Sequence, residues 1–417
     1  MELERSAPKS LVIISDLHVG DAARSSDLSR PNTATDKPDG FIDEFTSYVG
    51  QAALRPDLLL IAGDITNRAH PVEFQIAGRA IERLTNALGL TFPDDVVVVP
   101  GNHDVNWKSI SQFPEDTTAY SIRSRYYPLR FDDWPFDRMM ASNGRHLCEA
   151  PYFAVYSRND WLVVAFNSSS HDGPASSPDK EHFGLAPDAS LKALEDELRS
   201  LGPRGQETRV FLVHHHVVPR DDRARDKRDP SLLVNSSDLL ALLGRYSFDL
   251  VVHGHKHLPA LSTEMTATNV PLTVFGAGSF SATISPVNAG PIQNYFHALE
   301  VDGRHPTDDT IQGRVRSWAY VIPEGWREGA SVLGIDHVYP YGCHLSLTAL
   351  VSRVQAVLSQ QIRPGHESVE WRDVMTAISD LEYLGPPALH DLIGRVCVAA
   401  SMRSVGTPPN CTLVPAT

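Results

Sequence analysis

Short apolar runs punctuate the first two-thirds of the chain. Leu11-Val-Ile-Ile14, Leu58-Leu-Leu-Ile-Ala62 and Val96-Val-Val-Val99 are continuous rather than alternating. Each predicts a strand buried on both faces. Between them the apolar period lengthens towards 3.6 residues, which predicts helices over about 40–54 and about 72–89. This strand-helix-strand rhythm predicts a largely parallel sheet with helices on its faces. Further strands are expected at Tyr152–Tyr156, Trp161–Phe166, Val210–Val213, Leu250–Val252 and Leu272–Phe275. Leu191–Leu198 reads as a helix behind Pro187 and Asp188, and Ser237–Leu243 as one capped by Ser236. Tyr295–Val301 and Ile311–Val321 alternate apolar with polar residues, as half-buried antiparallel strands do.

After Pro323 the pattern changes. Segments over about 344–362 and 369–400 read as amphipathic helices. We therefore expect a boundary near 330, with one domain over 1–329 and a mostly helical C-terminal appendage over 330–417. That appendage would pack on the core, form a homo-oligomer or dock a protein partner. Loops near 21–39 and 167–187 are long and rich in Ser, Asp and Pro, a length that often accompanies function.

Composition narrows the class. The 417 residues suffice for one large domain plus an appendage, or for two to three domains. Hydrophobic residues make up 42% and charged residues 21%, ordinary for a globular protein. No apolar run approaches the roughly 20 residues of a membrane span, and MELERSAPKS lacks the apolar core of a signal peptide. The four cysteines are scattered without a CxxC pair, so neither a disulfide framework nor a cysteine zinc site is expected. A cytoplasmic location without membrane attachment is the resulting expectation. The formal net charge of -14 argues against constitutive binding to a nucleic-acid backbone, which needs basic surface. It does not exclude a nucleotide substrate, because bound cations can dominate a local field. The run from Arg220 to Asp229 nearly cancels its own charge and reads as a solvated loop.

Five polar motifs each follow an expected strand: Ser15-Asp16-Leu17-His18, Gly63-Asp64, Gly101-Asn102-His103-Asp104, His214-His215-His216 and His253-Gly254-His255-Lys256-His257. Each has an ordinary reading by itself: a turn for the three Asp-containing motifs, an exposed cluster for the three histidines and one face of an edge strand for His-x-His. Five at strand carboxyl ends, where ligands bind in open α/β sheets, form a signal together. Imidazole with carboxylate or amide oxygen suits manganese, iron, zinc or nickel. A pair of such ions polarises a phosphoryl group and makes hydroxide available near neutral pH.

These residues, in this order, resemble the calcineurin-like metallophosphoesterases. The resemblance covers about residues 10–325. It implies a four-layer β-sandwich of two mixed sheets flanked by helices, an α/β fold that replaces the single-sheet picture. It also implies two divalent metal ions: Asp16 and His18 on the first, Asp64 bridging, Asn102 and His214 on the second, His255 completing the second and His257 the first. His103 would face the substrate and stabilise or protonate the leaving oxygen, with Asp104 orienting it. The family commonly carries His-His-Pro at the fourth motif, whereas this chain has His214-His215-His216. His215, His216 and His253 are expected to support the site rather than to bind metal.

The expected activity is hydrolysis of a nucleotide or other phosphodiester. One alternative is a nuclease acting on DNA or RNA, which the net acidity disfavours. Another is a metal-bearing effector module working through 330–417. Asn167–Ser170 is a candidate for contacts near the metals, and Arg125, Tyr126, Tyr127 and Trp107 for a wall around a base or phosphate.

Overall fold

The computed structural model describes residues 9–31, 36–106, 135–172, 184–219, 231–283, 293–363 and 367–416. Trp107, Arg125, Tyr126, Tyr127 and the run 220–229 lie outside the described residues.

The chain opens with β1 (Lys9–Ile14), α1 (Phe41–Ala52), β2 (Leu58–Ile61), α2 (Pro71–Ala87) and β3 (Val96–Val98). The three strands pair in parallel, Leu11 opposite Leu58 and Leu59 opposite Val96. Every residue of β2 and β3 is buried, as the continuous apolar runs predict. Helix α2 begins at Pro71, which has no N–H to leave unpaired, and His70 and Glu73 cap it reciprocally.

A short helix α3 (Phe136–Met139) and a small hairpin of β4 (Ala141–Ser142) and β5 (Arg145–His146) follow. Then come β6 (Phe153–Arg158), β7 (Trp161–Phe166), α4 (Asp188–Leu201), β8 (Thr208–Leu212), α5 (Ser236–Arg245), β9 (Leu250–His253), β10 (Ala260–Met265) and β11 (Pro271–Gly276). The strands β12 (Asn294–Arg304), β13 (Ile311–Val321) and β14 (Gly325–Glu328) end this stretch. Helix α5 is capped one residue earlier than the sequence suggests. Asn235 is the cap residue at φ 65°, and its side-chain amide donates to the Ala186 carbonyl.

Two mixed sheets result. One runs β14-β13-β12-β1-β2-β3, the other β10-β11-β9-β8-β7-β6. In the second, β11, β9, β8 and β7 are parallel, with antiparallel strands β10 and β6 at the edges. Phe211, Val251 and Val164 share a core cluster with Leu194 and Leu198 of α4 and Leu239 and Leu243 of α5. Val210, Leu212 and Val252 point the opposite way by strand alternation and are equally buried. This is the mixed α/β, two-sheet architecture that the resemblance implies.

Residues 9–298 and 317–337 form one compact body; residues 299–316 and those from 338 onward form another. In the second body β15 (Val338–Tyr341) pairs with the Gly313–Arg316 part of β13. Then follow α6 (Leu347–Gln361), β16 (Val369–Glu370), α7 (Trp371–Ala377), α8 (Pro386–Ala400), β17 (Met402–Thr407) and β18 (Asn410–Pro415). Leu350, Val354 and Leu358 form one stripe of α6 and cluster with Leu392, Val396, Trp371 and Leu413. The single helix expected over 369–400 is broken. Ile378 leaves the helical conformation, a 3-10 turn spans Ser379–Tyr383, and Gly385-Pro386-Pro387 restarts the helix. The appendage also closes with a three-stranded sheet ordered β16-β18-β17, so it is not helical throughout.

No helix among the described residues is long and apolar enough to cross a membrane.

Candidate functional site

The five motifs converge at the carboxyl ends of β1, β2, β3, β8 and β9. Asp16, His18, Asp64, Asn102 and His214 are all at most 3% exposed, and His257 is 9% exposed. His103 and His255 are half-buried. The loops that hold them take unusual backbone conformations. Asp16, His18, Asp64, His255 and His257 have φ of 51°, 47°, 51°, 78° and 60°. Such left-handed geometry costs non-glycine residues energy and persists where the surroundings enforce it, often at functional sites. Two motif glycines are required by close approach. A Cβ on Gly101 would lie 2.2 Å from Asp64 Oδ1, and one on Gly254 would lie 1.9 Å from Ser15 Oγ.

The donor atoms fall into two groups around Asp64. In the first, His257 Nε2 lies 3.4 Å from Asp16 Oδ1 and 3.2 Å from His18 Nε2. In the second, His214 Nε2 lies 3.2 Å from Asn102 Oδ1 and 3.1 Å from His255 Nδ1. One oxygen, Asp64 Oδ2, stands 3.6 Å from His18 Nε2 and 3.3 Å from His214 Nε2 and so faces both groups. Asp64 Oδ1 accepts the His103 N–H at 2.9 Å, which fixes the carboxylate's rotation.

These separations fit a cation in each group. Two atoms that share an ion at about 2.1 Å lie roughly 3.0–3.5 Å apart. The groups Asp16–His18–His257 and Asp64–His214–His255 each bring three such donors within 4.8 Å of one another, and His103 joins His18 and Asp64 in a third. Imidazole nitrogens facing one another at 3.1–3.2 Å can share one proton, as donor and acceptor, or one cation, with both lone pairs turned to it. The His214 ring is already set for this. Its Nδ1–H donates to the Ala62 carbonyl at 2.8 Å, which turns Nε2 into the site.

Burial holds His18 and His255 well below the usual imidazole range, so both stay neutral and available. Burial opposes charge on His214 too, but the Asp64 and Asp16 carboxylates outweigh it and lift its pKa to about 10. Burial raises Asp16, whereas against the same burial the surrounding imidazoles of His214 and His103 hold Asp64 well below the carboxylate range. Asp64 is therefore held ionised.

Asp104 takes a different place from the one expected. Its carboxylate accepts the backbone N–H groups of Ile65, Thr66 and Gly101 and the Thr66 hydroxyl. Burial, with the nearby Asp64 charge, pushes it up to about 6. It ties the Asp64 loop to the Asn102 loop and does not face the His103 ring. The carbonyl of Asn67 does that, 2.9 Å from His103 Nδ1. A backbone carbonyl has no side-chain signature, and no sequence pattern reveals it.

His215, His216 and His253 lie beside the site. Ser168 Oγ lies 2.8 Å from His215 Nδ1, and the His215 ring sits 4.6 Å from the His255 ring. The Asn167–Ser170 segment thus touches the site's surroundings through His215. His216 packs on His253 at 4.2 Å between ring centres. None of the three belongs to a metal-capable group among the described residues.

Comparison with known proteins agrees with this geometry. A glycerophosphodiester phosphodiesterase, GpdQ, of Enterobacter lignolyticus (strain SCF1) is 26% identical over 245 residues, 56% of this chain and 71% of that protein. A probable cyclic nucleotide phosphodiesterase of Rhodococcus erythropolis (strain PR4 / NBRC 100887) is 23% identical over 274 residues, 64% of this chain and 72% of the other. A cAMP/cGMP dual-specificity phosphodiesterase of Mycobacterium tuberculosis (strain CDC 1551 / Oshkosh) is 22% identical over 301 residues, 71% of this chain and 76% of the other. The family model for calcineurin-like phosphoesterases matches residues 9–259. The chain belongs to the calcineurin-like phosphoesterases.

Proposed function

We propose that this protein is a dinuclear metal-dependent phosphodiesterase that hydrolyses a small phosphodiester, most naturally a nucleotide. One observation carries the reading. Seven carboxylate, amide and imidazole side chains form two groups that share the single oxygen Asp64 Oδ2. Asp16, His18 and His257 would hold one ion, Asn102, His214 and His255 the other, with Asp64 common to both. The donor set suits manganese, iron, zinc or nickel. Two such ions, when bound, supply charge for the phosphate oxygens and a nucleophile near neutral pH.

The protein's own contribution is orientation and proton transfer. With Nδ1–H donating to the Asn67 carbonyl, His103 has Nε2 left to carry a proton to a leaving alkoxide. A diester needs that proton because its leaving group is an alkoxide. Half-burial leaves this ring within reach of a ligand, while Asp16, His18, Asp64, Asn102 and His214 are screened from solvent. The curated relatives that act on phosphodiesters favour the same substrate class. The net charge of -14 supports a small ligand over a polymer.

The test is the rate ratio for bis(p-nitrophenyl) phosphate over p-nitrophenyl phosphate, in protein reloaded with manganese. The proposal predicts a ratio well above one. A ratio well below one would make this a phosphomonoesterase.

A further inference from the structure

The loop after β11 contains no residue that the motif pattern singles out, yet Ser279 and Ser281 within it are fully buried. Ser279 joins two distant motifs. Its hydroxyl donates to the Asp16 carbonyl at 2.8 Å, and its N–H donates to the His257 carbonyl at 3.3 Å. The same hydroxyl accepts the Ala282 N–H at 3.0 Å, and the Ser279 carbonyl accepts the Tyr295 N–H at 2.8 Å. The residue is therefore anchored as well as anchoring. The two residues it grips are those whose side chains approach to 3.4 Å in one metal-capable group, and both have a left-handed backbone. Phe280 N–H donates to the Ser15 carbonyl and Ser281 Oγ to the Leu17 carbonyl, which extends the stitching along the same motif. Ser279 makes no bond to Asn102, His214 or His255.

We infer that Ser279 is a positioning residue that sets the cation affinity of the Asp16–His18–His257 position more than that of the Asn102–His214–His255 position, which it reaches through the Asp16 carboxylate's bond from the His255 N–H at 3.1 Å. The inference rests on the two-ion reading above. Its physical basis is that an imidazole or carboxylate binds a cation well only if its backbone is already placed. Asp16 and His257 sit in conformations they would leave if released. Outer-sphere hydrogen bonds of this kind commonly change metal affinity by about 10-fold or more when removed.

The experiment is calorimetric titration of manganese(II) into metal-stripped, full-length protein. Wild type should take up two ions. In an Asn102→Ala background only the Asp16 side retains its full donor set, and in a His257→Ala background only the Asn102 side does. Adding Ser279→Ala should weaken manganese by about 10-fold in the first background and by less than about twofold in the second. Ser279→Cys keeps the shape with a weaker donor and should fall between. Melting of the metal-free variants alongside Ser281→Ala checks that the fold survives. Equal weakening in both backgrounds, or none in either, would overturn the role of Ser279. Uptake of fewer than two ions by wild type would overturn the two-ion reading itself, and the assignment with it.

Discussion

The two bodies of this molecule bury different kinds of side chain. In the body of the two large sheets, Asp16, His18, Asp64, Asn102, Asp104 and His214 are all sealed from solvent. In the C-terminal body the interior is Leu350, Val354, Leu358, Trp371, Leu392, Val396 and Leu413. No charged or polar side chain from 338 onward is fully buried among the described residues. Its ionic contacts lie nearer the surface, as where Arg353 and His305 both reach Asp380. Burying polar groups costs energy unless they are satisfied, and exposed ion pairs contribute little. The first body bears that cost at five strand ends at once, with five residues of its metal-capable groups in left-handed conformations. The C-terminal body has the economy of a packing unit. Chemistry should therefore be lost by substitution in the first body, and stability alone by substitution in the second.

The largest expected effect is at Asp64. Asp64→Ala removes the one oxygen facing both groups, and metal content and turnover should fall together. Metal analysis giving an unreduced complement would contradict the sharing of Asp64. Next is His103→Ala, which should retain the metals and slow turnover of an alkyl phosphodiester, whose alkoxide leaves with a proton, by about 10²- to 10⁴-fold, the usual contribution of a general acid or base. Wild-type turnover in that variant would remove His103 from the mechanism. In the C-terminal body, Trp371→Ala should cost about 3–5 kcal/mol in denaturant unfolding. Turnover per folded molecule should stay within experimental error of wild type. A selective loss of turnover there would break the comparison.

The smallest effect sharpens it through pH. His297 is fully buried on β12, its Nε2 accepting the Gly278 N–H at 3.2 Å and its Nδ1 2.8 Å from Ser317 Oγ. Burial holds its pKa down to about 3, against 6.5 for an ordinary imidazole. The unfolded chain therefore takes up this proton first as pH falls. The stability contribution is complete above about pH 6.5 and declines towards pH 3, by about 1.4 kcal/mol per unit. Between pH 6.5 and 4.5, wild type should lose roughly 2–3 kcal/mol more than His297→Gln in urea unfolding. Parallel losses would contradict a neutral buried imidazole.

The legibility of this chain followed the same contrast. The metal-capable residues could be read because each rides at the end of an apolar strand. The run Val96–Val99 and the following Gly101-Asn102-His103-Asp104 make the case. What escaped was whatever acts through the backbone: the Asn67 carbonyl behind His103, and the grip of Ser279 on the Asp16 and His257 carbonyls. Asp104 was expected to orient His103, but its carboxylate turns to the backbone of Ile65, Thr66 and Gly101, because sequence proximity does not say which way a carboxylate turns. In the C-terminal body the hairpin of Met402–Thr407 and Asn410–Pro415 went unread, since six-residue strands around a Pro408-Pro409 turn resemble a polar tail. The break at Ile378–Pro386 was overridden by helical periodicity on both sides of it.

The central claim is that Asp64 is shared between two cations that together hydrolyse a phosphodiester. Its most direct test measures metal per chain and bis(p-nitrophenyl) phosphate turnover on the same preparations of wild type and Asp64→Ala. The account predicts two ions and turnover in wild type, with both lost in the variant. Turnover that persists in Asp64→Ala, or in wild type stripped of metal, would contradict it.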